Sequence, residues 1–104
     1  MNDIIEKLET ILQDRKNKDP EDSYVSSLYS KGNQHICDKI MEEAGELVDA
    51  TEDGKAQVVH ETADLLFHVL VLLASLDVKY ATILDELTKR FGISGIEEKN
   101  NRKK

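Results

Sequence analysis

Apolar residues recur at helical spacing from the start of the chain, at Ile4, Ile5, Leu8, Ile11 and Leu12. Spacings of three and four residues place such side chains on one face of a helix. Residues 2 to about 16 are therefore predicted to form an amphipathic helix, which the segment NKDPEDS then ends.

A second, short helix is predicted through the segment SYVSSLYSKG. Asp19 followed by Pro20 is typical of an N-cap and first helical turn, so we expect the helix to be capped there. Gly32 is expected to end it, because glycine leaves the right-handed helical conformation at little cost.

Three longer helices are predicted downstream of Gly32, over residues of about 33–52, 55–76 and 80–91. Asp53 and Gly54 are expected to separate the first two. No segment shows the alternation of period two that is typical of a strand. The pattern predicts an all-α fold of four to five helices.

Composition adds that the chain is a single domain over residues 1–104, with an N-terminal helix and linker over 1–22 and a basic tail over 94–104. Hydrophobic residues make up 39% and charged residues 34%, as in soluble globular proteins. The net charge of -7 argues against nucleic-acid binding. The single cysteine, Cys37, excludes an internal disulfide and fits a reducing compartment.

Two further features predict a cytoplasmic protein without a membrane anchor. The N-terminal segment is amphipathic and acidic, unlike a signal peptide. The longest apolar stretch, residues 65–74, is about half of the ~20 residues that span a bilayer.

Acidic residues are concentrated in the middle of the chain, where residues 42–64 hold eight acids and one base, Lys55. On a helical wheel, the helix over residues 33–52 has an apolar stripe formed by Ile36, Ile40, Ala44, Leu47 and Val48. Lys39, Glu43 and Glu46 flank that stripe, and Glu42 lies further round, toward solvent.

The next helix is apolar around most of its circumference, and its narrow polar stripe contains no Lys or Arg. That stripe consists of Gln57, His60, Glu61, Asp64, His68 and Ser75. We predict that Glu61 and Asp64 face Glu43 and Glu46 across the two helices, with cations between them. Four carboxylates suit Mg²⁺, or Mn²⁺ in its place, rather than zinc.

Other interpretations of these residues remain open. The acids could form solvated stripes on outer helices, and His60 and His68 are expected to hydrogen-bond neighbouring carboxylates rather than to bind metal. HETAD has Asp64 where the zinc-protease motif H-E-x-x-H has its second histidine. Paired E-x-x-H motifs, as in di-iron carboxylate bundles, are absent from the sequence.

The segments EEAGE and ETAD together resemble the E-x-x-E…E-x-x-D signature of the MazG-like all-α nucleoside-triphosphate pyrophosphohydrolase superfamily. Within it, the chain is most similar to the phosphoribosyl-ATP pyrophosphohydrolase family of histidine biosynthesis. The further segments that carry this resemblance are SYVSSLYSKG, KIMEEAGELVDA, VVHETADLLFHVLVLLA and SGIEEKNNR. The resemblance implies a MazG-like helical bundle.

The resemblance also implies a reaction, the hydrolysis of the α–β phosphoanhydride of 1-(5-phosphoribosyl)-ATP to phosphoribosyl-AMP and pyrophosphate. Metal ions held by Glu43, Glu46, Glu61 and Asp64 would then neutralise the triphosphate. Glu42 is our candidate for the general base.

Positively charged side chains are expected to hold the phosphates. Lys39 lies one turn before Glu43 and either contacts a phosphate or pairs with that carboxylate. Lys31 could bind a phosphate together with the start of the next helix. The resemblance adds Lys99 and Arg102 of the tail, and Ser23 and Tyr24 are further candidate contacts.

The long apolar helix exposes more apolar surface than three short partners can cover, so we expect a homodimer that completes the bundle. Two other functions remain open. One is a house-cleaning pyrophosphohydrolase that acts on nucleotides such as dUTP or dCTP. The other is a non-enzymatic helical dimerisation or binding module.

Overall fold

The fold is described by a computed structural model that covers residues 3–91. Along this described stretch, five α-helices follow one another: α1 (Ile4–Asp14), α2 (Tyr24–Lys31), α3 (Asn33–Ala50), α4 (Lys55–Ser75) and α5 (Tyr80–Phe91). A short 3-10 turn, Arg15–Asn17, extends α1. Within the described range the chain forms helices and turns and no strand, which confirms the predicted all-α class.

The two longest helices, α3 and α4, form an antiparallel hairpin. Gly54, with φ of 104°, directly precedes α4, and glycine suits this turn because other residues rarely adopt a positive φ. At the far end of the hairpin, the Ser75 hydroxyl donates to the Asn33 side chain at the start of α3. The helices are therefore paired from end to end, which brings their acidic segments side by side.

The predicted cap of α2 was wrong. Asp19 and Pro20 form a turn, in which the Asp22 N–H donates to the Asp19 carbonyl at 2.9 Å. The helix begins later, where Ser23 has extended backbone angles and its hydroxyl accepts a hydrogen bond from the Ser26 N–H at 3.2 Å. The Asp19 carboxylate instead bonds the Glu21 N–H within the turn, as aspartate often does before proline.

The hydrophobic core lies at the end of the hairpin where α4 finishes. Its buried residues come from α1, α2, the start of α3 and the second half of α4: Leu12, Val25, Leu28, Ile36, Leu70, Val71 and Ala74. Beside this core, the Tyr29 hydroxyl on α2 donates a hydrogen bond to the Leu12 carbonyl on α1 at 2.9 Å. The core thus fixes α2 and α4 relative to α3, and leaves the first half of α4 outside it.

Helix α5 is attached mainly through its first residue. The Tyr80 N–H donates to the Glu9 carboxylate at 2.8 Å, which caps α5 against α1. None of the α5 residues is buried, and Leu84, Leu87 and Phe91 are exposed. Apolar side chains of α3 and α4 are exposed as well, among them Met41, Val48, Val59 and Leu66.

By length and hydropathy alone, α4 could cross a bilayer, and 22% of its most apolar stretch is buried. Core helices of soluble proteins pass the same test, so this property by itself is weak evidence for a membrane.

Candidate metal and phosphate site

Three carboxylates from two helices converge near the middle of the hairpin. One oxygen each from Glu43, Glu46 and Glu61 lies within 4.8 Å of the other two. Glu43 and Glu46 are three residues apart on α3, a spacing that puts both on one face, and Glu61 approaches from α4. Asp64 belongs to a second group of three side chains, with Glu61 and His60, whose ligand atoms also lie within 4.8 Å of one another. Glu61 is common to both groups.

Two carboxylate oxygens in this cluster are buried without a hydrogen-bond partner among the described residues, Glu43 Oε2 and Glu61 Oε1. Glu43 is 7% exposed, whereas Glu46 is exposed. The other Glu61 oxygen accepts a hydrogen bond from the Gln57 side-chain amide at 2.8 Å. Because a buried carboxylate without a partner is costly, these oxygens point to a cationic ligand.

The negative charges of the clustered carboxylates repel one another. The neighbouring Glu43 carboxylate raises the pKa of Glu46 above its usual range, first by charge repulsion and also by a hydrogen bond, and Glu61 and Glu42 add to the repulsion. A divalent cation between the carboxylates would replace this repulsion by attraction. Oxygen ligands from carboxylates are those that Mg²⁺ and Mn²⁺ prefer, so the residues fit the metals expected from the sequence.

Lys39 borders the carboxylate cluster on α3. Its Nζ lies 2.8 Å from Glu42 Oε2 and 3.9 Å from Glu43 Oε1, so its main partner is Glu42 rather than the Glu43 expected from the sequence. The hydrogen bond with Glu42 raises the pKa of Lys39. The same bond lowers the pKa of Glu42, and the charges of His68 and His35 contribute to that lowering. Glu42 itself is exposed, as predicted.

The two histidines of α4 differ in their contacts. His60 Nε2 lies 3.5 Å from Asp64 Oδ2, beside a carboxylate as expected. Among residues 3–91, the hydrogen-bond partners of His68 are not carboxylates, which makes that part of the prediction wrong. Its Nδ1 lies 2.9 Å from the Asp64 backbone carbonyl, and its Nε2 lies 2.9 Å from the Tyr24 hydroxyl.

Of the other predicted contacts, Tyr24 is linked to α4 by the hydrogen bond between its hydroxyl and His68. The Ser23 hydroxyl caps α2. Lys31 ends α2 just before Gly32. Ten residues separate the start of α3 from Glu43, which at 1.5 Å per residue is about 15 Å. Lys31 is therefore well removed from the carboxylates, and Lys99 and Arg102 lie outside the described residues.

One residue near the site, His35, and one contact, between Tyr24 and His68, were not singled out from the sequence. His35 lies one turn before Lys39 on α3, and that spacing of four residues was the available signal. The bond between Tyr24 and His68 joins residues 44 positions apart, so no local pattern reveals it.

A cleft of about 860 Å³ lies elsewhere, between α1 and the start of α5. Glu6, Glu9, Gln13, Tyr80 and Leu84 are among the residues that line it. None of the clustered carboxylates contributes to it, so the candidate site is the open surface between α3 and α4 rather than this cleft.

Comparison with known proteins gives a consistent result. The phosphoribosyl-ATP pyrophosphohydrolase family profile matches residues 5–91. A phosphoribosyl-ATP pyrophosphatase of Vesicomyosocius okutanii is 50% identical, over 98% of both chains. Proteins of the same name from Ruthia magnifica and Hydrogenovibrio crunogenus are each 48% identical, over 98% of both chains and over 99% of this chain and 96% of the relative, respectively.

Proposed function

Because this chain belongs to the phosphoribosyl-ATP pyrophosphohydrolase family, we propose that its clustered carboxylates and Lys39 carry out the family's reaction. The chain is an enzyme of histidine biosynthesis, and it hydrolyses 1-(5-phosphoribosyl)-ATP to phosphoribosyl-AMP and pyrophosphate. The observation that carries the assignment of the site is the convergence of Glu43, Glu46 and Glu61 within 4.8 Å.

Glu43, Glu46, Glu61 and Asp64 would hold Mg²⁺, or Mn²⁺ in its place. When bound, the divalent ion would supply positive charge against the triphosphate and would acidify a water molecule for attack. The buried positions of Glu43 Oε2 and Glu61 Oε1 support this role, because both oxygens lack another partner among the described residues. The contact of His60 with Asp64 would fix the orientation of that carboxylate.

Glu42 is proposed to accept the proton of the attacking water. It lies next to Glu43, but its exposed side chain pairs with Lys39 and is not part of the converging group, so it is not required as a metal ligand. The hydrogen bond and the charge of Lys39 lower the pKa of Glu42, which leaves the carboxylate ionised at neutral pH but weakens it as a base. When a phosphate is bound, Lys39 could contact a phosphate oxygen in addition to Glu42.

Phosphate groups further from the metal require other contacts. Lys31 and the start of α3 lie about 15 Å along the helix from Glu43, so they would serve the phosphate of the phosphoribosyl group rather than the triphosphate. Lys99 and Arg102 of the tail are proposed to help hold the triphosphate. Ser23 and Tyr24 are proposed as contacts at the start of α2.

We also propose that the active form is a cytoplasmic homodimer. Val59 is 69% and Leu66 36% exposed on α4, and the two residues lie two turns apart on one face. On α3, Met41 is 74% and Val48 68% exposed. Apolar surface of this extent is typical of an interface, and a second copy would cover it.

The decisive experiment is to incubate the purified protein with phosphoribosyl-ATP in Mg²⁺, and then in EDTA, and to measure pyrophosphate release. Metal-dependent release from this substrate, and not from a panel of ordinary nucleoside triphosphates, is expected. Cleavage of dUTP or dCTP instead would favour a house-cleaning function. Release from none of them would favour the binding module.

A Glu46→Gln variant ties the activity to the carboxylates. Losing a metal ligand removes several kcal/mol of transition-state stabilisation, so kcat/KM should fall at least about a hundredfold. Glu6→Gln, which removes an exposed carboxylate on α1, is the matched control and should leave kcat/KM unchanged.

A further inference from the structure

His35 is half-buried on α3, and among residues 3–91 its imidazole has no hydrogen-bond or ion-pair partner. The helical rotation of about 100° per residue places it on the same face as Lys39, Glu42 and Glu46. These four side chains form a row along α3 that begins with two nitrogen donors and ends in the carboxylate cluster. An imidazole without a protein partner at the start of this row is available to a ligand.

His35 belongs to the surroundings of the candidate site rather than to a separate surface. Its charge is among the causes that lower the pKa of Glu42, after the hydrogen bond and the charge of Lys39, so His35 and Glu42 lie within electrostatic range. Along the helix axis, His35 lies about 6 Å before Lys39 and about 12 Å before Glu43. Lys31 lies four residues before His35, and α3 begins between them. A ligand that reaches from the carboxylates toward Lys31 therefore passes His35.

The substrate carries phosphate groups at two ends. Its triphosphate contains the bond that is cleaved, whereas the other phosphate is attached to the second ribose, beyond the adenosine. When the triphosphate lies at the carboxylate cluster, the adenosine and the second ribose hold the other phosphate away from the metal. Since that phosphate is not neutralised by the metal, it requires donors outside the cluster. On this side of α3, the donors beyond Lys39 are His35 and, just before the helix, Lys31.

We propose that His35 binds the phosphate of the phosphoribosyl group, and so makes the site prefer phosphoribosyl-ATP to ATP, which lacks that group. The inference deepens the proposed function and rests on it. The contact requires no particular protonation state of His35, because an imidazole carries at least one N–H donor whether it is neutral or charged, and phosphate oxygens accept hydrogen bonds. Lys31 would contact the same phosphate.

The contact is tested with two ligands, phosphoribosyl-AMP and AMP, which differ only in the phosphoribosyl group. Calorimetric titration in Mg²⁺ gives both dissociation constants, and the wild type should bind phosphoribosyl-AMP more tightly. His35→Leu removes the donor and should weaken phosphoribosyl-AMP binding roughly five- to tenfold, whereas AMP binding should change less than twofold. Equal losses for both ligands would place His35 at the α-phosphate and would overturn the proposal. Unchanged binding of both ligands would overturn it as well.

Turnover separates this inference from the proposed function. A wild type that releases no pyrophosphate from phosphoribosyl-ATP would overturn the proposed function and, with it, this inference. If the wild type is active, His35→Leu should raise KM roughly five- to tenfold with a smaller change in kcat, because the contact is remote from the cleaved bond. An unchanged KM in His35→Leu beside an active wild type would overturn this inference alone.

Further variants distinguish loss of the contact from loss of folding. His35→Gln keeps an N–H donor and should retain part of the preference for phosphoribosyl-AMP. His35→Glu places a negative charge opposite the phosphate and should weaken phosphoribosyl-AMP binding more than His35→Leu does. Thr88→Leu introduces the same apolar side chain on the exposed surface of α5 and should leave both affinities unchanged. If thermal unfolding shows that His35→Leu is not folded, His35→Glu decides, and wild-type affinity for phosphoribosyl-AMP in that variant would overturn the proposal.

Discussion

Glu43 on α3 and Glu61 on α4 place one carboxylate oxygen each within 4.8 Å, and each has a second oxygen that is buried without a hydrogen-bond partner in the described part of the chain. Like charges at this separation repel, and their burial increases the cost. The hairpin therefore holds an arrangement that is unfavourable by itself and that a divalent cation would stabilise.

Mg²⁺ or Mn²⁺ is accordingly expected to raise the midpoint of thermal unfolding. At a concentration about a hundredfold above the dissociation constant, binding stabilises the folded state by about 2.7 kcal/mol, or roughly 10 °C for a domain of this size. Differential scanning calorimetry with and without the metal measures the shift.

Glu61→Gln should abolish most of that shift, and should itself leave the metal-free protein as stable or more stable, because it removes a repelling charge. Glu6→Gln removes one negative charge far from the cluster and should respond to metal as the wild type does. Equal metal responses in all three proteins would exclude the carboxylate cluster as the binding site.

Lys39→Met is expected to weaken substrate binding. Lysine is charged at physiological pH, and the hydrogen bond with Glu42 raises the pKa of Lys39 further, so its charge is available to attract phosphate. Its loss should raise KM about tenfold, in keeping with a charged hydrogen bond. Lys39→Arg keeps the charge and should retain more of the affinity. Unchanged KM in Lys39→Met would mean that the lysine serves only to pair with Glu42.

Asp77 ends α4 in the left-handed conformation, with φ of 59°. The Val78 N–H donates to the Leu73 carbonyl at 2.8 Å and the Asp77 N–H to the Ala74 carbonyl at 3.1 Å, the pattern of a Schellman cap. Glycine is the usual residue there, so Asp77→Gly should raise the unfolding midpoint by a few degrees. A lower midpoint would mean that the side chain contributes more than its backbone conformation costs.

The Asp77 side chain makes one strong contact, an ion pair of 2.9 Å with Lys16. The hydrogen bond and charge of Lys16 lower the pKa of Asp77. A lowered folded-state pKa gives stability that is present above the unfolded value of about 3.9 and is lost as the pH falls through the folded-state pKa. Asp77→Asn should therefore be less stable than the wild type at pH 7, and this difference should disappear in acid. Denaturation by urea at several pH values measures it.

Val59→Glu is expected to dissociate the proposed homodimer, because it places a charge in the exposed apolar face of α4. Light scattering coupled to size exclusion should give the mass of a dimer for the wild type and of a monomer for the variant. Thr88→Glu adds the same charge on the exposed surface of α5 and should leave the mass unchanged. A monomeric wild type would contradict the proposal.

The helices were predictable from sequence to within one or two residues at most of their ends, as α4 shows, which begins at Lys55 as predicted and ends at Ser75 rather than Leu76. Helical periodicity is a local property of the sequence, so it can be recognised without knowledge of the fold. The exception was the start of α2, where Asp19 and Ser23 are both good caps and only the turn at Pro20 decides between them.

By itself, the sequence determined which side chains share a helical face, and so paired Glu43 with Glu46 and Glu61 with Asp64. The tertiary structure decided how those faces meet, because the rotation of α4 against α3 depends on the core packing that includes Ile36 and Val71, about two helical turns from the acids. In the folded chain, Glu61 lies beside Glu43 and Glu46, Lys39 pairs with Glu42, and the Tyr24 hydroxyl bonds His68. Contacts between residues distant in sequence arise from packing, which no local pattern encodes.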